Sequence, residues 1–465
     1  MTPKLSDRRA AARDWRAPFG ALLLIVLFVP IKRYTLPSSL PVNLELYRIA
    51  VAVVFCLWLA SLLADRRVRL RGTRLGVPLL VYACAIAVSL LANLRRVMPL
   101  SGDVIKAVWF FATYIVFFYM VVSVVRRGRD IDFLAGLVAA GGAVVGALAV
   151  VEAGTGYNAF DHLHAVLPFL HLQGGDLADL TRGGGRRAYA SAQHPIALGA
   201  ALCVLLPLAV YRASGSGRRR WWGVAGLIVL GVLATRSRTP IVMLGVEIVV
   251  YAILRAKEMK RVLPAFIPAL LAMYIALPGT IGAIKGAFFP TGGLVAQQTY
   301  TRVGSGRLAT LGPALDSEFK PHPLVGEGFG TRITQPDALV PEPNAPTLDD
   351  QWLGVLLETG VVGALALLWF FLRSVRYMGA EAKRDQTPRG AFLVASTAST
   401  AAYAVGMFLY DAFSFVQVTF LLYLVVGLGV SAALSPAAEW APAVLDVRKR
   451  QRSPVRVVAA HTELA

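Results

Sequence analysis

The sequence predicts an all-α polytopic membrane protein with about twelve transmembrane helices, and three observations carry that expectation. Apolar runs of about 15–25 residues recur along the chain, near the length an α-helix needs to cross a bilayer. Hydrophobic residues make up 56% of the 465 and the mean hydropathy is +0.61, more apolar surface than a water-soluble core of this size conceals. Short basic segments fall in alternate connections between the runs, the pattern of the positive-inside rule.

Taken in order, a basic N-terminus over 1–16 (Lys4, Arg8, Arg9, Arg13, Arg16) precedes apolar runs at 17–31, 46–64, 75–93, 102–125, 131–151, 195–211, 221–235, 239–254 and 262–280. These nine spans form one transmembrane region, 17–280, whose long outer loop covers 152–194. The first run resembles a signal peptide in its flanks, but it lacks an Ala-x-Ala site and Pro30-Ile31-Lys32 closes it, so a retained span is expected. Residues 281–350 form a large periplasmic or extracellular loop with helix-compatible stretches such as Arg307–Phe319, expected to cap the membrane domain; loops of this length usually carry function. Three further spans follow at 351–372, 390–412 and 415–434, and the basic tail 435–465 is expected to be flexible and to lie against anionic headgroups. An even number of spans with basic alternate loops places both termini in the cytoplasm.

The net charge of +20 is therefore topogenic, and no basic stripe with interleaved aromatics points to nucleic acid. Cys56, Cys84 and Cys203 all fall in spans, which argues against a disulfide framework or a zinc site. His162, His164 and His171 share one loop but lack an acidic partner at ligand spacing. Asp130-Ile-Asp132 resembles a sugar-nucleotide motif, yet its cytoplasmic position fits a helix start better. Gly142 and Gly146 form a G-x-x-x-G pair that favours close helix packing. No inverted pair of broken helices of the kind many transporters use is evident.

Four segments place polar chemistry at the outer mouth: Gly183 to Pro195 with Arg186, Arg187 and His194; the corner Thr235 to Pro240 with Arg236 and Arg238; Ser305-Gly306-Arg307; and Asp349-Asp350. Arginines beside a membrane exit suit a lipid-linked diphosphate, since guanidinium stays charged and grips phosphate oxygens bidentately. The same cations would stabilise negative charge growing on a departing diphosphate. Simple snorkelling to headgroups is the alternative for each of them. Asp349 is the candidate general base for an acceptor hydroxyl; either member of the 349–350 pair also suits a helix N-cap. Glu358 beside Gly360 interrupts the start of the tenth span, where pairing with an arginine is the expected role. Glu247, in mid-span, would cost a few kcal/mol if ionised there, by analogy with about 2.5–3.5 kcal/mol for other charged residues.

In order along the chain stand Arg187 to Gly199 with His194-Pro195, Ser237-Arg238-Thr239, Ser305-Gly306-Arg307, His322-Pro-Leu-Val-Gly-Glu-Gly-Phe-Gly330 and Asp349-Asp-Gln-Trp-Leu running to Glu358-Thr-Gly360 and Gly363. This series resembles the O-antigen ligase and polysaccharide polymerase superfamily of bacterial multi-pass glycosyltransferases. The resemblance implies a GT-C-like fold that takes glycan from an undecaprenyl-diphosphate carrier on the outer face, without a metal or other cofactor. It implies diphosphate contacts from Arg187, Arg307 and Arg238, catalysis by Asp349 and Arg307, and support from Arg186, Asp350, Glu358 and His322. Asp349 stands where ligases of the superfamily have a catalytic His, whereas many polymerase-like relatives have Asp there. A polymerase joining lipid-linked repeat units is thus favoured over a ligase that transfers the glycan to lipid A–core or another acceptor. A chain-length regulator is a candidate partner, besides the lipid-linked donor, the glycan or lipid acceptor and membrane lipids. A lipid-oligosaccharide transporter is the rival from another class; it should carry charge deeper in the bundle than this chain does.

Overall fold

The computed structural model describes residues 15–37, 44–65, 68–173, 185–216, 219–257, 307–334 and 344–440, with short pieces at 181–182 and between 282 and 305. The described residues form a helical bundle. Its elements are α1 (Arg16–Phe28), β1 (Tyr34–Thr35), α2 (Leu46–Ala64), α3 (Gly76–Ala92), α4 (Leu94–Val97), α5 (Ser101–Val124), α6 (Gly128–Thr155), α7 (Leu163–Val166), β2 (His171–Leu172), β3 (Thr181–Arg182), β4 (Gly185–Arg186), α8 (Pro195–Ser216), α9 (Arg220–Ala234), α10 (Arg238–Leu254), β5 (Tyr300–Thr301), β6 (Gly304–Ser305), α11 (Arg307–Ala314), α12 (Gln351–Arg384), α13 (Pro388–Gly406) and α14 (Val416–Leu434). The strands pair antiparallel as β1–β2, β3–β4 and β5–β6.

Six stretches among the described residues are long and apolar enough to cross a membrane: α2, the run α4–α5, α6, α8, α12 and α14; α1, α3 and α9 are shorter apolar helices. The protein is a membrane protein. Its most apolar stretch of α14 is 94% buried inside the bundle and that of α2 only 22%, so α14 is a central post and α2 a peripheral one. The post is packed by rings: Tyr423 stacks on Tyr114 at 5.6 Å, and Phe420 meets Phe117 at 5.3 Å, geometries that aromatic quadrupoles favour. The Gly142/Gly146 pair does allow close packing. A Cβ at Gly146 would stand 2.6 Å from the Leu227 carbonyl oxygen of α9, and one at Gly142 2.9 Å from Leu205 of α8.

The described helices run between two ends, and α10 and α12 both start at the same one. One end collects Arg16–Asp130 (2.7 Å), Arg212–Asp132, Arg389–Asp385 (2.6 Å) and Arg255 on the Asp385 carbonyl. Asp130 and Asp132 thus pair with basic residues at the start of α6. Trp440 closes this end by lying over Gly128, where a Cβ would be 2.8 Å from its ring. The other end, called the mouth here, carries residues 29–37, 44–45, 156–173, 185–194, 235–238, 320–334, 344–350 and 407–415.

Two boundaries differ most from expectation. The tenth span runs on to Arg384 rather than ending at 372, because Tyr377 to Arg384 is rich in helix formers and Arg373 holds the Arg74 carbonyl at 3.1 Å. The eleventh stops at Gly406 rather than 412. Tight bonds from Phe408 N to Val405 O and Leu409 N to Gly406 O end it, and the chain reverses over 407–415. The expected ninth span, 262–280, lies outside the described residues.

Candidate active site at the mouth

The reversal at 407–415 is the hub of the mouth, because four elements bond to it. Gln351, first residue of α12, donates its N–H to Met407 O (2.8 Å) and accepts the Phe413 N–H on its side-chain oxygen (2.7 Å). Thr239 of α10 donates to Leu409 O (3.3 Å). Lys32, after α1, and Gln193, before α8, both donate to Ser414 O, at 3.2 and 3.1 Å. The His194 ring stacks on Phe415 at 6.0 Å, and its Nδ1 accepts the Ile196 N–H.

Asp349 and Asp350 take different roles. Asp350 is the N-cap of α12: its Oδ1 accepts the Leu353 N–H at 3.1 Å. Asp349 adopts a left-handed backbone, φ 51°, a conformation uncommon for a residue with a Cβ and concentrated at functional sites. Its charge acts on Asp411, whose Oδ2 accepts the Ser414 hydroxyl at 2.6 Å. Burial, and then the Asp349 charge, raise the Asp411 pKa above the ordinary carboxylate range, against the Ser414 hydroxyl, Lys32 and Arg332. The Lys32 ammonium is pushed down, mainly by its enclosed surroundings, with Lys106 and Arg48 adding to the effect while Glu45 and Asp411 oppose it. Lys32 also has a left-handed backbone, φ 65°, and its N–H bonds Glu45 at 2.6 Å.

The arginine corner lies where α9 turns into α10. Buried Arg187 donates from Nε to Thr235 O (3.3 Å) and from Nη2 to Ser237 Oγ (2.8 Å), and Ala188 N bonds Ala234 O. Arg236 and Arg238 flank Ser237 in sequence, so three arginine residues gather at one corner. Burial lowers the Arg236 pKa. Gly185 packs directly against the Arg236 guanidinium, which a Cβ there would displace. Arg186 instead points away and donates to Gly156 O at 2.8 Å, satisfying a carbonyl at the end of α6. The Arg307 side chain lies outside the described residues; its helix α11 is set over the start of α12 by Ala314 packing with Leu348 and Leu357.

The His322–Gly330 segment is structural. Gly360 breaks α12, φ 65° and ψ −170°, leaving carbonyls and N–H groups without helical partners. The segment supplies them: Glu327 N donates to Leu357 O (2.9 Å) and Gly328 N to Glu358 O (3.1 Å), while Val361 N and Val362 N donate to Pro323 O and Leu324 O. Gly326 and Gly360 both have positive φ and lie so close to this contact that a Cβ at either would overlap backbone. Glu327 is clamped by Arg96 at 2.8 Å. The Glu358 carboxyl faces the backbone of Gly330 and Arg332 and feels the Arg332 charge; Arg332 itself pairs with Glu318 at 2.6 Å. His322 is exposed. Sequence reasoning missed Lys32, Arg332 and Asp411, which are mouth residues only because the fold brings the inter-helix turns together.

Residues 223–368 match the family model described as O-antigen ligase. That stretch belongs to the O-antigen ligase family. The ligase-family segment spans α9, α10, α11 and the broken start of α12, and so contains Arg238, Arg307, Asp349 and Glu358 but not Arg187. The family is one of enzymes of the O-antigen ligase/polymerase type, acting on lipid-linked glycan and an acceptor. No curated protein matches the chain.

Proposed function

We propose that the protein is a metal-independent glycosyltransferase of the bacterial inner membrane that polymerises oligosaccharide from an undecaprenyl-diphosphate donor, with both termini cytoplasmic and the mouth on the outer face. About twelve spans in a GT-C-like arrangement, including 262–280, would carry it. Arg187 and Arg238, with Arg307, engage the donor diphosphate; Asp349 takes the acceptor hydroxyl proton. The hydroxyl oxygen then bonds the donor anomeric carbon as its bond to the diphosphate breaks, the bonding pair passes to the diphosphate oxygen, and the arginines stabilise that charge.

The observation that carries the reading is Asp349: relieved of capping by Asp350, it stands in a left-handed backbone beside the hub that also anchors the arginine corner through Thr239. An aspartate where the superfamily's ligases have histidine favours polymerisation over transfer to lipid A–core. The test gives purified protein in lipid a single undecaprenyl-diphosphate repeat with no other acceptor. A ladder of lengths that disappears in Arg307→Ala supports the polymerase. An unchanged repeat with folded protein rejects it, and product formed only when a separate acceptor is supplied identifies a ligase.

A further inference from the structure

The strap 187–195 reaches the two halves of the mouth. At one end Arg187 sits in the arginine corner on Thr235 and Ser237; at the other Gln193 holds Ser414 and His194 stacks on Phe415. Between them the peptide at Ala190 is gripped from three sides. The Glu152 carboxylate, at the end of α6, accepts Ala190 N at 2.8 Å and Tyr189 N at 3.2 Å. Arg33 donates to Ala190 O at 2.7 Å and Ala192 O at 3.1 Å, and Asn158 to Ala190 O at 3.2 Å. Arg33 is itself fixed, ion-paired to Asp161 and lying 4.8 Å over the Tyr189 ring, whose hydroxyl also bonds Asp161. Glu152 and Arg33 are buried. Ala190 adopts φ 41°, a left-handed conformation that persists in a non-glycine residue only where its surroundings over-determine it.

We infer that Glu152 and Arg33 are positioning residues for the transfer reaction: their clamp on the Ala190 peptide sets the distance between the diphosphate-binding Arg187 and the Asp349–Asp411 mouth. Neither need touch substrate. The inference rests on the proposed transferase reading. The clamp holds the strap midway between its two anchored ends.

The test separates geometry from turnover. In a background with Cys56, Cys84 and Cys203 replaced by alanine, the pair Gln193→Cys and Ser414→Cys is oxidised, and cross-link yield is compared with and without Glu152→Gln. That change keeps the shape but turns one acceptor oxygen into a donor facing strap N–H groups. The yield should fall several-fold, and in the single-repeat assay kcat should fall about 10–100-fold, more than KM rises, since sub-ångström to ångström misplacement has effects of that order. Oxidation of the small fraction that does cross-link should restore its turnover toward that of the same cysteine pair with Glu152 intact. Arg33→Lys, which keeps charge but loses the fork that spans two carbonyls, should act in the same direction and guards against misfolding of the first variant. Parental cross-link yield in both folded variants, or a reduced yield with parental kcat, overturns the proposal. Absence of transfer by the wild-type protein overturns the transferase reading and the catalytic role together, while the cross-link yield still decides whether the clamp sets the strap.

Discussion

Asp349 and Asp350 are chemically identical neighbours that the backbone assigns to different work. Sequence alone left either one as cap or base, because an N-cap is defined by one hydrogen bond and a turn of φ that spacing does not encode. Asp350→Ala should lower stability by about 1 kcal/mol, the usual loss for a capping side chain, measured by thermal unfolding in detergent; an unchanged unfolding curve would contradict the capping bond to Leu353. Asp411 gives a pH prediction. Its carboxyl is more readily protonated in the folded protein, through burial and the Asp349 charge. Such a group contributes stability that is complete below its unfolded pKa of about 3.9 and lost as pH rises through the higher folded value. Asp411→Asn should therefore flatten the fall of melting temperature as pH rises above about 4, and parallel profiles for variant and wild type would refute it. Glu152 and Arg33 were invisible as a pair. A lone Glu in the apolar context Val151-Glu152-Ala153 was the available signal, but nothing in the sequence shows that its partners are backbone N–H groups of a later loop.

The broken helix α12 shows what patterning does and does not reveal about an element. Glu358-Thr-Gly360 was legible as an interruption, since Gly and a carboxylate are out of place in a spanning run. Its remedy was not, because the His322–Gly330 segment meets the break through main-chain bonds from about thirty residues upstream. That segment, read from the sequence as part of the reacting loop, also bridges the broken helix through its main chain. Gly360→Ala combines a left-handed φ with overlap on the Leu324 carbonyl, so it should cost about 3 kcal/mol or more. Gly354→Ala, where a Cβ would meet a Gln351 side-chain nitrogen at 3.7 Å, should be neutral or stabilising, because alanine favours the helix by about 0.5–1 kcal/mol. Equal losses at the two positions, measured by thermal unfolding, would show that the break is not held by its loop.

At the scale of the whole molecule, hydropathy made the bundle legible, and the G-x-x-x-G pair marked α6 for close packing without naming α9 as its partner. The convergence of distant turns was only partly so. Topology put Arg187, Arg238 and Asp349 on one side, but the reversal at 407–415 that joins their elements is nine residues with no strong pattern of its own. The proposed orientation predicts that His322→Cys, in the cysteine-free background, reacts with a membrane-impermeant thiol reagent added outside intact spheroplasts; labelling only from the cytoplasmic side would invert the topology. The central claim is that transfer chemistry happens at this mouth with Asp349 as its base. Its most direct test is chain growth on a single undecaprenyl-diphosphate repeat by Asp349→Asn, which keeps the side chain's shape and removes its basicity. The account predicts a fall of about 10²–10⁴-fold in turnover with the variant folded and still retaining the lipid-linked repeat, whereas wild-type turnover would contradict it.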